Sequence, residues 1–440
     1  PHQCKGVIFG RRSPLYGVKI ACLFTPEDHA SNLVKVAKTS LFAGAGGEGV
    51  LEHRRKHLRA RGVVGVIAAP GCQLEILPKI EAMGENGVSD ETLRRRLVHM
   101  LAVARDIRID AQNSTSLGWQ RDTLLEILIR LFCRKMMEAV RQGIPRRYIN
   151  HEDDLSALRG RLDMTRQFST LAAHPQKLAC RFDELSPDIA LNQVMKATIT
   201  KLVRFSTSAD NQRSLRELSF AYADITDVLA NALRWEMITL DRTNKRWREL
   251  LSLAQLLLGS KYQTTSTGQS GGHALLFEMN TLFEEYILRV LKRALTGTGL
   301  KVTSQGGHKS CLFEAGTGRF RTRPDIIVKE GSNVVLIIDT KWKRMTTRID
   351  DPKQGVSQSD VYQLMAYSQL YDCNRVMLLY PHNQGLPSQP ICIPYHIASP
   401  TGAERMFVST VDVSGAHSSV AAALIATVQK SLERSYEMTG

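Results

Sequence analysis

In the stretch RPDIIVKEGSNVVLIIDTKWK (323–343) an apolar run ends in Asp339 and Lys341, and a second acid, Asp325, follows Pro324 directly. Charges at the edge of a buried strand are costly unless something pairs with them. KEGSNV (329–334) is turn chemistry between two β-rich runs, so 323–341 is expected to fold as a hairpin. A turn centred near Ser332 sets Asp325 and Asp339 seven residues away on either side, as cross-strand neighbours. Strand side chains alternate, so Asp339 and Lys341 share a face, and Pro324 is tolerated at a strand start. Two carboxylates and one ammonium then converge at one end of a sheet. Such a set suits metal-assisted phosphodiester hydrolysis. Mg²⁺ takes one or two carboxylates and completes its shell with water and phosphate oxygens, and a divalent cation relieves the repulsion between paired acids. The metal lowers the pKa of a bound water, and a lysine orients that water or offsets charge building on phosphorus. A bare D-x-K is more often an ordinary ion pair at a strand end. The proline–aspartate start, the symmetric hairpin and the apolar strand favour the chemical reading here.

The elements around the hairpin can be read from pattern. Upstream, LLFEMNTLFEEYILRVLKRAL (275–295) has one continuous apolar stripe through Met279, Leu282, Phe283, Tyr286, Ile287, Val290, Leu291 and Ala294, the mark of a helix with a broad packing face. Downstream, SDVYQLMAYSQLY (359–371) is expected as a helix started by Ser359 or Asp360, and RVMLLYP (375–381) as a strand. Helix, strands, helix, strand implies an α/β core around a mixed sheet.

Pro324-Asp325 followed by Asp339-Thr340-Lys341 resembles the signature of the PD-(D/E)xK nucleases. In that superfamily a helix before the sheet often adds an acid, which points to Glu284 or its neighbour Glu285. One branch carries Q-x-x-x-Y on the following helix, matched here by Gln363 and Tyr367. The resemblance thus implies Asp325, Asp339, Lys341, Glu284, Gln363 and Tyr367 as catalytic residues, with Asp325, Asp339 and Glu284 on a Mg²⁺ ion that Mn²⁺ can replace. Gln363 and Tyr367 share a helix face offset from Val361, Leu364 and Met365, so they are not expected to be simply core.

The resemblance narrows further. GVVGVIAAPGCQLEILPKI (62–80), FDELSPDIALNQVMKATITKL (182–202), LDRTNKRWRELLSLAQLLL (240–258), LLFEMNTLFEEYI and DVYQLMAYSQLY occur in the order seen in McrC-like proteins, the nuclease subunits of McrBC modification-dependent restriction systems. The likeness runs from about 60 to about 381. It implies a Mg²⁺-dependent endonuclease for double-stranded, modified DNA, driven by a McrB-like AAA+ oligomer that hydrolyses GTP. Any such motor is expected to be another chain, because GAGGEG (44–49) lacks the Lys-Ser/Thr of a phosphate loop. The β-rich N-terminal region would dock on that partner's ring, with the 62–80 hairpin and the basic 53–61 stretch as candidate surfaces. Arg319, Arg321, Arg323, Lys343 and Arg344 flank the acids and could hold a DNA backbone, supplying affinity rather than sequence readout.

Composition agrees with such a partner. The 440 residues carry 58 Lys+Arg against 43 Asp+Glu, a formal charge of +15 that favours a polyanion. No apolar stretch reaches membrane-spanning length; LLSLAQLLLG (250–259) reads as a core helix. The eight cysteines are scattered with no CxxC pair and no signal-peptide pattern stands at the start, so a cytoplasmic protein with reduced thiols is expected. Three regions are expected: a β-rich 1–88, a mainly helical 89–262 and a PD-(D/E)xK nuclease domain over 263–440, divided at the polar YQTTSTGQSGGH (262–273). Within the first, His53 and His57 have the i,i+4 spacing of helical metal ligands, but no third ligand is nearby and a solvated basic face is the simpler reading.

A reading from another class is a non-catalytic adaptor that keeps the fold only to bind DNA or a partner. The intact Asp325, Asp339 and Lys341 set argues against it. The long N-terminal half argues against a self-sufficient nuclease. The absence of HExxH or a Cys/His cluster argues against a zinc hydrolase.

Overall fold

A computed structural model describes residues 4–7, 27–38, 50–54, 57–69, 72–80, 89–109, 122–174, 176–258, 272–304, 309–351, 355–398 and 405–433. The glycine-rich 44–49 segment and most of the 262–273 stretch lie outside them. The chain forms two compact units: one joins 1–124 to 261–440, and the other is 125–260. The first unit is therefore discontinuous, which a consecutive division into 1–88, 89–262 and 263–440 does not have.

The first unit opens with β1 (Cys4–Val7), α1 (Glu27–Lys38), β2 (Leu51–Arg54), β3 (His57–Ala60), β4 (Val63–Ala69), β5 (Cys72–Ile76) and α2 (Asp90–Ala104). As expected from 62–80, β4 and β5 form an antiparallel hairpin closed at Ala69 and Cys72. Two features add to the sequence reading. Residues 27–38, within the region read as mainly β, are a helix that buries Leu33, Val36 and Ala37. The basic stretch after 50 is a strand pair with Arg54 opposite His57, so the helical i,i+4 premise for His53 and His57 does not hold.

The second unit comprises α3 (Leu124–Arg141), β6 (Arg147–Leu155), β7 (Arg161–Leu162), α4 (Met164–Phe168), β8 (Leu178–Ser186), α5 (Ala190–Phe205), α6 (Ala209–Ala221) and α7 (Arg248–Leu258). Its helices follow the apolar periodicity, and α7 buries Leu250, Leu253, Ala254, Leu256, Leu257 and Leu258. A three-stranded sheet ordered β6-β8-β7 stands within the region expected to be mainly helical. Glu126 is buried in this unit because Ser206, Thr207, Ser208 and Asn211 donate to its carboxylate.

The first unit resumes with β9 (His273–Glu278), α8 (Met279–Ala294), β10 (Leu300–Ser304), β11 (Ser310–Glu314), β12 (Thr317–Arg321), β13 (Ile326–Glu330), β14 (Asn333–Thr340), α9 (Gln358–Tyr371), β15 (Arg375–Pro381), β16 (Cys392–His396), β17 (Arg405–Val411) and α10 (His417–Leu432). Six of these strands make a mixed sheet ordered β10-β13-β14-β15-β17-β16. The pairs β14–β15 and β15–β17 are parallel and the rest antiparallel, so the expected mixed α/β core is present. Parallel pairing of β14 with β15 requires a crossover, which α9 supplies.

β9 links the two parts of this unit by completing a four-stranded sheet, β1-β5-β4-β9. Gly65 on β4 makes that pairing possible: its φ is +134°, and a Cβ there would lie 2.0 Å from the Leu275 carbonyl oxygen. β9 runs directly into α8, whose first amide, Met279 N–H, donates to Gly62 O at 2.8 Å. The stripe from Met279 to Leu291 is buried, with α8 lying against α2, α10 and the sheet strands β10 and β14.

Candidate active site

The acids come together because of an irregular hairpin. Gly331 has φ +61° at the first position of the two-residue turn joining Glu330 and Asn333, as a type II′ turn requires. Lys329 pairs with Val334, but Val328 pairs with Leu336, so Val335 is an unpaired bulge residue. A regular ladder from the same turn would set Asp325 across from Ile338 and put the acids on opposite faces. With the bulge, Ile326 pairs with Ile338, and one further step sets Asp325 opposite Asp339.

Each charged group has a distinct support. Asp325 Oδ2 accepts from Thr340 N at 2.8 Å and Thr340 Oγ1 at 2.9 Å, which fixes one carboxylate at the sheet end. Asp339 is nearly inaccessible at 3% exposure, and Lys341 Nζ lies 2.9 Å from its Oδ2. That contact has the distance of an ion pair but not the angles of a hydrogen bond, so Oδ2 remains buried without a directed donor. Burial, with the Asp325 charge second, pushes the Asp339 pKa up to about 6 against the pull of Lys341. Burial also raises Asp325, offset in part by the Thr340 bonds. Burial works against the Lys341 ammonium, but Asp339 and Asp360 together outweigh it and hold its pKa above the ordinary lysine value.

Asp360 was not foreseen. Its Oδ1 lies 3.3 Å from Lys341 Nζ, so the lysine sits between two acids from different elements. The sequence held a signal for it: Asp360, Gln363 and Tyr367 recur at helical spacing on one face of α9. That helix is capped by Ser357, whose hydroxyl accepts from Asp360 N, and not by Ser359 or Asp360. Thr340 and Asn280 were missed too; Asn280 Oδ1 accepts from Trp342 N at 3.0 Å and ties α8 to the strand end. Tyr380 on β15 is buried, its hydroxyl has no hydrogen-bond partner, and its pKa is raised by burial and then by Asp360 and Asp339.

The other expected residues divide. Gln363 Nε2 donates to Tyr367 Oη at 2.7 Å, but the Tyr367 ring is buried in the sheet–helix core, contrary to the expectation that this face is not core. Its pKa is raised by burial first and also by the charges of both site acids. Glu285 is drawn to Arg105, the C-cap of α2, at 3.6 Å. Glu284 is partly buried on α8, and no three His, Cys, Asp or Glu side chains among the described residues are grouped to hold a metal ion. Of the basic residues, Lys343 donates to Gly355 O at 2.8 Å and Arg344 Nε lies 3.5 Å from Asn383 Oδ1, so both are engaged within the fold. Arg319 pairs with Glu314 at 3.0 Å, while Arg321 and Arg323 are exposed.

The buried Asp339 carboxylate and the Asp325 carboxylate across the hairpin form a hard oxygen donor set. It fits a hydrated divalent cation held by Asp325 and Asp339.

Residues 58–381 match the family described as McrBC 5-methylcytosine restriction system component. The chain belongs to the McrBC family. Among characterised proteins it is similar to the Type IV methyl-directed restriction enzyme EcoKMcrBC of Escherichia coli (strain K12), at 21% identity over 287 residues, covering 62% of this chain and 80% of that protein. Among solved structures it matches a chain of the Thermococcus gammatolerans assembly of McrB AAA+ hexamers with bound McrC. There the TM-score is 0.61, with 22% identity and 92% of both chains covered, a likeness of fold. The matched McrBC segment contains β4, β5, all of the second unit and the sheet as far as β15, so it spans both compact units. No helix among the described residues is long and apolar enough to cross a membrane.

Proposed function

We propose that this McrBC-family chain is the nuclease subunit, a PD-(D/E)xK-type endonuclease that hydrolyses phosphodiester bonds in modified double-stranded DNA with Mg²⁺ or Mn²⁺. The observation that carries this reading is the convergence of Asp325, Asp339 and Lys341 at one sheet end, with Asp339 buried and its Oδ2 met by the Lys341 ammonium. Asp325 and Asp339 would hold the cation. When bound, the cation supplies a water of lowered pKa and polarises the phosphate. Lys341, held between Asp339 and Asp360, keeps its proton and would offset charge gained at phosphorus. Thr340 fixes the Asp325 carboxylate, and Gln363 orients the Tyr367 hydroxyl at the rim. The sequence contains no GxxxxGK[ST] loop, which supports a separate GTP-hydrolysing AAA+ partner as the motor. The name of the T. gammatolerans assembly, McrB AAA+ hexamers with bound McrC, supports the same division of labour.

The test is cleavage of methylated plasmid by the full chain with a McrB-like GTPase, GTP and Mg²⁺, beside Asp339→Ala. Loss of cleavage in the variant, with DNA and partner still bound, is the expected result. Equal cleavage by both would remove these acids from the chemistry. Absence of cleavage by either, with DNA still bound, would support the adaptor reading instead.

A further inference from the structure

Four residues before Asp325, the chain comes out of a hairpin that has no evident structural purpose. Among the described residues β11 and β12 pair with each other and with no other strand, and a two-stranded hairpin alone in water is marginal at best. Its tip, Ala315-Gly316, has positive φ at both residues, the tight turn whose twist matches that of the flanking strands. Its side chains face solvent, among them Leu312 at 58%, Phe313 at 73% and Phe320 at 77% exposure. Phe320 also has φ +52°, a conformation that bulky residues rarely adopt. An aromatic residue that is both strained and exposed costs stability twice, and such costs gather at functional positions.

The base of the ribbon is fixed to the catalytic framework. Thr322 donates through N and Oγ1 to Lys309 O, both at 2.8 Å, and its hydroxyl meets Tyr371 Oη at 2.9 Å. Tyr371 packs edge-on against Tyr367. Over 309–323 the charges are Lys309, Arg319, Arg321 and Arg323 against the single acid Glu314. A five-residue strand reaches roughly 17 Å, and a DNA groove admits a two-stranded β-ribbon.

We propose that the β11–β12 ribbon is a DNA-distorting arm. Its arginines grip the backbone while Phe313 and Phe320 wedge into the base stack of the duplex beside the phosphate to be cut. The inference rests on the nuclease reading for its choice of partner. Charge favours DNA over a protein surface as the occupant, since four cations oppose one acid.

The test uses the full chain in EDTA, where no cleavage intervenes, with short duplexes carrying 2-aminopurine at successive positions. Wild type should bind and raise the fluorescence at one position, the signature of unstacking. Phe313→Ala and Phe320→Ala should each weaken binding at least about fivefold and abolish the rise, with the salt dependence of binding unchanged. Arg321→Ala should instead lower the salt slope by about one and keep the rise at saturation. Phe320→Gly, which relieves the backbone, should raise the thermal midpoint while losing the rise, an outcome a purely structural Phe320 would not give. Phe320→Tyr should restore the rise. Binding without any rise, wild-type behaviour in the Phe variants, or no DNA binding at all would overturn the proposal. So would loss of AAA+ partner binding with DNA unstacking intact. Asp339→Ala should still bind and unstack, so failure of the nuclease reading appears in cleavage and failure of the arm in fluorescence.

Discussion

Asp339→Asn should make the metal-free protein more stable than its parent in mildly alkaline buffer. In the folded chain, burial and then the Asp325 charge raise the Asp339 pKa from 3.8 to about 6. At about 1.4 kcal/mol per pKa unit, ionising this group in the fold rather than in the unfolded chain costs about 3 kcal/mol. The folded protein holds the proton more tightly, so the stabilisation is fully present below about pH 4 and is lost as pH rises through about 6. Asparagine has no proton to lose, and Lys341 keeps Asp360 as a partner. The stability gap should therefore open between about pH 4 and 6 and level off at about 3 kcal/mol above that window. Urea unfolding of both proteins in EDTA across this range measures it, with Trp342, buried beside Lys341, among the fluorescent reporters. Adding Mg²⁺ should stabilise the parent and leave the variant unmoved. A variant no more stable than the parent in alkaline EDTA, or a gap that does not change with pH, would refute the claim that this acid is held at a cost.

The same pKa sets the metal dependence: Mn²⁺ binding, followed by electron paramagnetic resonance, should weaken progressively below about pH 6 as the cation competes with the Asp339 proton. Lys341→Met should lower turnover about 100- to 1,000-fold with DNA affinity retained, read by single-turnover cleavage. Asp360→Asn should cost less, with its effect in kcat rather than KM, because Asp339 still holds the lysine. Gly65→Ala, which would drive a Cβ into the Leu275 backbone, should destabilise the first unit by about 3 kcal/mol or more, seen as a lower Tm.

Much of the site was legible because its chemistry is local. KEGSNV marks a turn, VVLII marks a buried strand, and two acids at matched distances from the turn must meet near one sheet end. What the letters do not carry is which strand holds an extra residue. The expected turn centre near Ser332 and the observed turn plus a bulge at Val335 lead to the same opposition of Asp325 and Asp339. The start of α9 was misread because Ser357, Ser359 and Asp360 are all good caps, and only the backbone decides which one is used. Asp360 was overlooked as a cap although its spacing to Gln363 put it on the functional face. The sheet of β6, β7 and β8 hid in a helical region because RYINHEDDL is exposed along most of its length and shows no alternation of apolar residues.

The pairing of β4 with β9 also sets a timetable for the nascent chain. The two strands are separated by roughly 200 residues, which a ribosome takes roughly 10–40 s to deliver. Until then VVGVIAA has β5 on one side and a bare, apolar edge on the other. The whole of the second unit emerges during that wait. Synthesis thus passes through a stage with a sticky strand waiting for its partner, the stage at which holdase chaperones would act. Slowing translation between 125 and 260 should lower soluble yield more than slowing it after 278, when the edge has already closed.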